Sequence, residues 1–279
     1  MDNLEPMIDH FERIVPTDGD TYPGPDGRLY CSRCHTPRQS RITLPWNNRE
    51  RLVNCVCKCM QEAIEAEEER KARMDRFSQV APVRIAGFPA EEVERYTFAH
   101  DDGARPQLSA AMQAYVRNFT QLRKDGKGLL LYGDVGTGKT FAGGCIVNAL
   151  EDLGHPCLMT SFSRLEKVLF DMRDGKRAFL DKLLLFDLVL FDDLGVERDT
   201  EYMTQQVTDI LDSFYRAGIP MIITSNYTPK QLTGAEDIRK KRVYDRLLER
   251  CHPILVDGES RRKQQGRHDY AGMKNLLGL

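Results

Sequence analysis

No uninterrupted apolar run in the chain approaches the ~18 residues of a membrane-spanning helix. A helical membrane protein is therefore excluded, and no membrane partner is expected. Charge of one sign is not in excess either: 40 Lys and Arg stand against 42 Asp and Glu, for a formal net charge of -2. Any nucleic-acid surface must then be a local patch. No internal repeat or low-complexity tract is present, which excludes the repeat architectures. The opening residues, Met1-Asp-Asn-Leu-Glu5, are acidic and lack the basic start and apolar centre of a signal peptide. A cytoplasmic protein is expected, and there the eight cysteines favour metal binding or buried thiols over disulfides. What is present suffices for one large domain with a packed core and one small one: 279 residues, 41% hydrophobic and 29% charged.

The strongest pattern is Gly133, Asp134, Val135, Gly136, Thr137, Gly138, Lys139 and Thr140, spaced as G-x-x-x-x-G-K-T. It follows the apolar run Leu129-Leu-Leu-Tyr132 and precedes a helical stretch, residues 141–150. Glycines let the backbone curl so that several N–H groups point at phosphate oxygens. The positive end of the following helix lies under the same phosphates. Lys139 reaches the β- and γ-phosphates of a nucleoside triphosphate, and the Thr140 hydroxyl ligates Mg2+. The alternative is a glycine-rich surface turn.

Around this loop, short apolar runs alternate with helical stretches. Strands are expected at residues 128–132, 156–160, 187–192, 219–225 and 253–256. Two short helices are expected within 163–184 and a longer one over 201–217. Apolar strands separated by helices predict a parallel sheet covered on both faces. Leu188-Val-Leu-Phe-Asp-Asp193 ends a buried strand in two carboxylates. Asp192 is then placed to hold Mg2+, directly or through water, and Asp193 to orient or deprotonate a water attacking the γ-phosphate. Met221-Ile-Ile-Thr-Ser-Asn226 ends another strand in an amide that positions the same water; Ser225 and Asn226 as simple helix or turn caps is the other reading. Residues 238–250 form a basic helix anchored by Val243, Tyr244 and Leu247. Arg239, Arg242, Arg246 and Arg250 recur on one face of it. That face is either solvated or supplies an arginine to a neighbouring subunit's γ-phosphate. Ser260-Arg-Arg262 follows the last strand and adds a phosphate contact in cis.

Five of the cysteines lie between Cys31 and Cys59. A C-x2-C pair, Cys31 and Cys34, precedes the cluster Cys55, Cys57 and Cys59 by the spacing of a structural zinc site. Cys31, Cys34, Cys57 and Cys59 are the expected ligands, with Cys55 as alternate; His35 is a further possible donor. A module with so little apolar sequence needs a metal to fold. Arg33, Arg38, Arg41, Arg49, Arg51 and Trp46 decorate it, as a nucleic-acid or acidic-partner surface or as a solvated face. Leu4, Ile8, Phe11 and Ile14 have the spacing of a short amphipathic helix. Residues 60–79 are strong helix formers with Glu-to-Lys/Arg pairs, a connecting helix. Gly87-Phe-Pro89 breaks the pattern, so a linker is expected near residues 80–95. Arg164, Lys167, Arg173, Lys176 and Arg177, interleaved with Phe162, Phe170 and Phe179, mark a stretch that either binds single-stranded DNA or sends its aromatics to the core.

Taken together, these motifs resemble the AAA+ ATPases of the DnaC/DnaI helicase-loader branch, which is related to the IstB transposition ATPases. The resemblance rests on residues 133–140, 188–195, 223–226, 242–247 and 260–262, and spans roughly 96–265. It implies an α/β fold: a P-loop AAA+ core with a five-stranded parallel sheet between helices, plus a small N-terminal zinc-binding domain and a helical linker. The implied division is 1–60 zinc module, 61–95 connecting helix and linker, 96–279 ATPase. Asp192 and Asp193 correspond to the Walker B pair, Asn226 to sensor I, Arg246 to the arginine finger and Arg262 to sensor II. The implied cofactors are ATP/ADP, Mg2+ and Zn2+. The implied partners are a hexameric DnaB-type replicative helicase, single-stranded DNA and further copies of the chain across the arginine-finger interface. Asp193 stands where many AAA+ proteins carry Glu, which implies slow hydrolysis. The stretch after Val256 is too short for a full helical lid, and Tyr270, Met273 and Leu277 suggest a small docked helix instead. Competing functions are a transposase helper, a nucleotide-gated adaptor with little turnover, and, against the zinc pattern, a small-molecule P-loop kinase.

Overall fold

The computed structural model describes residues 20–44, 48–195 and 200–261, together with Met273 and Leu277. The expected helix over Leu4–Ile14, Trp46, Arg262 and Tyr270 lie outside the described residues. The chain falls into two compact units, one up to Met74 and one from Asp75.

The first unit is built from two hairpins and a helix. Strand β1 (Thr21–Pro23) pairs antiparallel with β2 (Leu29–Cys31), and β3 (Gln39–Thr43) pairs antiparallel with β4 (Glu50–Asn54). Among its described residues only Cys31, Leu44 and Cys57 are buried. Three side chains do not make a hydrophobic core, so apolar burial alone cannot hold this unit. The helix Lys58–Val80 leaves it with an exposed, charged surface, stitched by pairs such as Glu67–Arg70 at 2.8 Å.

The helix ends in the second unit, and the expected linker is not a free one. Val80, Val83 and Ala86 are fully or almost fully buried there. Their spacing of three suits the 3-10 turn over Ala81–Ala86, which puts all three on one side. Phe88 N then donates to Met159 O at 2.8 Å and Thr160 Oγ1 to Ala86 O at 2.5 Å. The Gly87-Phe-Pro89 break therefore marks a turn laid against the sheet rather than a boundary between domains.

The second unit carries the expected sheet. Strands β5 (Gly128–Tyr132), β6 (Cys157–Ser161), β7 (Leu188–Leu194), β8 (Met221–Ser225) and β9 (Cys251–Leu255) are all parallel, in the order β6-β7-β8-β5-β9. Successive residues of a strand face opposite sides. Leu130, Val189, Phe191 and Ile223 enter one apolar cluster, and Leu129, Leu131, Leu190 and Ile222 the other. Both clusters are covered by helices, which is why the strands read as unbroken apolar runs rather than as alternating ones. Strand β9 starts at Cys251, two residues before its expected start. Pro253 stays within it because β9 is an edge strand, where a missing N–H breaks no ladder bond.

Helix starts follow local chemistry. Ser161 accepts from Arg164 N to open Phe162–Asp171, Thr200 caps Glu201–Ala217, and Asp237 caps Ile238–Arg250. Because all five strands run the same way, everything that follows their C-terminal ends gathers along one edge. Of the tail, Met273 and Leu277 are helical and more than half exposed, against the expectation that they dock. Among the described residues, no helix is long and apolar enough to cross a membrane.

Phe191 is the centre of the first cluster, with no exposed surface. Its ring stacks on Phe162 at 4.8 Å and meets Phe214 edge-on at 5.3 Å. Phe191→Ala is expected to cost about 3–5 kcal/mol of unfolding free energy. Chemical denaturation followed by circular dichroism measures it, and a loss under about 1 kcal/mol would contradict this packing.

Candidate functional site

The loop between β5 and the helix Lys139–Asp152 is shaped by glycine. Gly136 (φ 81°) and Gly138 (φ 93°) hold left-handed backbone, which side chains other than glycine rarely adopt. A Cβ at Gly136 would also run into the Ser260 hydroxyl. Inside the curl lies Lys139, only 5% exposed. Its ammonium donates to Gly133 O at 2.9 Å, Asp134 O at 2.8 Å and Asn226 Oδ1 at 2.8 Å. A buried ammonium needs such oxygens around it. Phosphate oxygens of an incoming anion satisfy the same three donors.

One residue on, the Thr140 hydroxyl donates to the Asp192 carboxylate, at 2.9 Å and 3.1 Å from its two oxygens. Burial is the dominant influence on Asp192 and pushes its carboxyl above the ordinary range; hydrogen bonds from Thr224 and Thr140 pull the other way. A hydroxyl and a buried carboxylate oxygen form a hard-donor set that fits Mg2+, and such an ion would restore the charged form of Asp192. Asp193 is exposed and holds φ 57°, an uncommon conformation for a residue with a side chain. Strain of this kind costs about 1–3 kcal/mol and persists only where neighbours impose it. Here it turns Asp193 out of the sheet while Asp192 stays in.

The structure thus brings Lys139, Thr140, Asp192 and Asn226 together at one edge, with Asp193 beside Asp192. Sheet order explains why: β8 lies between β5 and β7, so Asn226 follows the strand that separates the loop from the carboxylates. Arg246 does not join them. It forms an ion pair with Asp212 and lies over the Tyr215 ring, 5.6 Å from its centroid. Arg262 is outside the described residues, but its neighbour Arg261 is not. Arg261 N donates to Gly136 O at 2.9 Å, and its guanidinium pairs with Asp102 at 2.8 Å. Arg105 donates to the loop carbonyl of Thr137. Arg105 carries no signal in the sequence, because its contact spans 32 residues. Thr224 is also missed, though a hydroxyl in a strand covered on both faces must find a partner.

In the first unit, Cys31, Cys34, Cys57 and Cys59 bring their sulfurs within 4.8 Å of one another. Cys31 and Cys59 are 3.7 Å apart, and Cys57 and Cys59 3.4 Å. Tetrahedral zinc with Zn–S bonds of about 2.3 Å sets its sulfurs about 3.8 Å apart, so the cluster fits the ion. Cys55 lies apart, its thiol donating to Pro37 O at 3.5 Å. His35 is also outside, its Nδ1 sharing a hydrogen bond with the Tyr22 hydroxyl at 3.1 Å. Arg38, read as a surface residue, instead turns toward the thiols, 3.9 Å from Cys57 Sγ.

Comparison with known proteins adds the following. The sequence profile described as IstB-like ATP binding protein matches residues 57–269. An ATP-binding protein in an insertion sequence of Mycobacterium tuberculosis is 27% identical over 212 residues, covering 72% of this chain and 80% of that protein. The replicative helicase loader DnaI of Bacillus subtilis is 25% identical over 213 residues, covering 69% of this chain and 66% of that protein, just under two thirds of its length. A crystal structure of DnaI superposes with a TM-score of 0.52 at 23% identity, covering 62% of this chain and 94% of that one. The last likeness shows a shared fold, an α/β domain with a parallel sheet between helices.

The thiol geometry makes a prediction about ligands. Purified protein is expected to carry one zinc per chain by atomic emission. Cys55→Ser should leave that ratio unchanged, whereas Cys34→Ser or Cys57→Ser should lower zinc affinity at least about tenfold. Zinc lost from the Cys55 variant and kept by the Cys57 variant would reverse the ligand assignment.

Proposed function

The chain belongs to the IstB-like ATP-binding proteins, and on that premise we propose that it is an ATPase that loads a hexameric, DnaB-type replicative helicase onto single-stranded DNA. The observation that carries the nucleotide half is the meeting of Lys139, Thr140, Asp192 and Asn226 at one edge of the sheet. The helicase half is supported by the likeness to DnaI and by the thiol module, whose Cys31 and Cys34 precede the matched region.

In this reading, the thiol module within residues 1–60 docks on the helicase, the helix from Lys58 connects it, and the unit from Asp75 onward forms the ATPase. ATP enters the loop spanning Gly133–Thr140, and Lys139 exchanges its carbonyl and amide partners for phosphate oxygens. Thr140 and Asp192 would hold Mg2+, which would supply positive charge against the β- and γ-phosphates. Asn226 aligns a water, and Asp193 takes its proton as it attacks. Arg246 serves a neighbouring subunit's γ-phosphate, so assembly must first release it from Asp212. Arg262 acts in cis. ATP binding and hydrolysis gate delivery of the ring.

Single-stranded DNA follows the basic stretch on the helices Phe162–Asp171 and Lys176–Leu183. Phe162 and Phe179 are core residues, whereas Phe170 is 81% exposed. Lys167, Arg173, Lys176 and Arg177 are exposed near it in sequence. One aromatic with cations around it suits a base stacked above a tracked backbone. A second reading, a helper of a transposase, is favoured by the insertion-sequence relative. It differs in partner, not in nucleotide chemistry.

Three expectations test this reading. Lys139→Ala should abolish binding of a fluorescent ATP analogue while leaving the melting temperature within a few degrees. The full chain should co-purify with a DnaB-type helicase, and a chain starting at Asp75 should not; capture of a transposase instead would favour the second reading. Phe170→Ala should weaken single-stranded DNA binding about five- to a hundredfold by fluorescence anisotropy. Unchanged affinity would remove that residue from the DNA path.

A further inference from the structure

Strands β7 and β8 fall out of register at the edge that carries the site. Phe191 pairs with Ile223 and Leu194 with Ser225. Two residues of β7, Asp192 and Asp193, therefore stand opposite one residue of β8, Thr224. That is a β-bulge, a device that ends regular pairing and re-aims side chains. Thr224 has no exposed surface. Its hydroxyl donates to Asp192 Oδ1 at 2.6 Å and accepts from Asp193 N at 2.8 Å. The second bond supplies Asp193 N with an acceptor that the interrupted ladder does not. The next residue completes the clamp: Ser225 Oγ donates to Leu194 O at 2.7 Å and accepts from Tyr227 N at 3.1 Å.

We propose that Thr224 is a positioning residue for the metal and water chemistry of this site: one hydroxyl sets the carboxylate of Asp192 and the left-handed turn at Asp193 together. The inference rests on the ATPase reading and goes beyond it. Asp192 Oδ1 receives both the Thr224 and the Thr140 hydroxyls. Thr224 thereby leaves Oδ2 the less encumbered oxygen, with only the 3.1 Å contact from Thr140. At Asp193 it acts through the backbone, fixing where the chain turns and so where that carboxylate stands. Asn226 lies two residues on, just past the end of the same strand. A shift of β8 therefore moves the amide and both carboxylates as one group.

The experiment uses the full chain and the variants Thr224→Val, which keeps the shape and removes the hydroxyl, and Thr224→Ser, which keeps the hydroxyl. Binding of a fluorescent ATP analogue is measured in EDTA and across a Mg2+ titration, with turnover and melting alongside. Thr224→Val should bind the analogue in EDTA within about threefold of wild type, because the loop is untouched. Its Mg2+ midpoint should rise, or its kcat fall, about 10- to 100-fold, the range for loss of a group that orients a metal ligand. Thr224→Ser should recover both to within about threefold. A merely structural threonine would lower the melting temperature and leave the Mg2+ midpoint alone. A wild-type midpoint and kcat in Thr224→Val, or a serine variant as impaired as the valine one, overturns the proposal. If the valine variant does not fold, Thr224→Ala against Thr224→Ser decides it on the same readouts. Wild-type protein that binds no nucleotide, or binds it without regard to Mg2+, takes down the ATPase reading and this proposal together. Normal wild-type behaviour with an unaffected valine variant takes down this one alone.

Discussion

A lysine ammonium buried beneath a loop has to be solvated by the protein itself. Lys139 meets that demand with two carbonyls of its own loop and the amide oxygen of Asn226. The third bond joins the loop after β5 to the end of β8. Next to it, the Thr140–Asp192 bond joins the start of the helix to the end of β7. Three strand ends are thus tied at one edge by hydrogen bonds that run between charged and polar groups, while the sheet behind them is apolar on both faces. Each of these bonds spends a donor or an acceptor that a phosphate or a divalent cation can take over. The edge is held together by groups suited to a ligand, which gives an exchange of partners rather than a creation of new order.

The two units solve the folding problem differently. The unit from Asp75 onward has two apolar clusters and needs nothing else. The unit up to Met74 buries Cys31, Leu44 and Cys57 among its described residues and gathers four sulfurs in a set that fits a metal ion. A bound metal there contributes folding energy directly. The same contrast separates their cysteines. Cys157 and Cys251 sit in the larger core, where burial pushes both thiols up, making them poor nucleophiles and poor ligands. Cys31, Cys34, Cys57 and Cys59 sit where little else is buried.

Legibility followed range. The loop from Gly133 to Thr140 is local, and its spacing alone pointed to phosphate. The five strands were legible because each is a short apolar run with a helix on either side. The first kept its boundaries and the other four moved by at most two residues at either end, as at Cys251, where an edge position tolerates Pro253. The choice among Cys55, Cys57 and Cys59 was open in the sequence, because three thiols in five residues are equivalent until the chain is folded. Folding sends Cys55 to Pro37 O and the other two to the cluster. The linker expectation failed for a related reason. Gly87-Phe-Pro89 is a break in helix propensity, and propensity does not reveal that Val80, Val83 and Ala86 have a sheet to lie against. Phe162, Phe170 and Phe179 look alike in the sequence; packing made two of them core and left one outside.

The sequence by itself determined the chemistry available: a phosphate-cradling loop, a pair of carboxylates, an amide, a thiol set and a basic helix, each written within a few consecutive residues. Tertiary structure alone decided which of these meet. Placing β8 between β5 and β7 brought Asn226 to Lys139, and a register slip opposite Thr224 split Asp192 from Asp193. It also set Arg246 on Asp212 and Arg105 on the loop. The physical reason is distance along the chain. Backbone conformation and periodicity depend on near neighbours, whereas a hydrogen bond between residues dozens of positions apart exists only once strand order and register have been chosen.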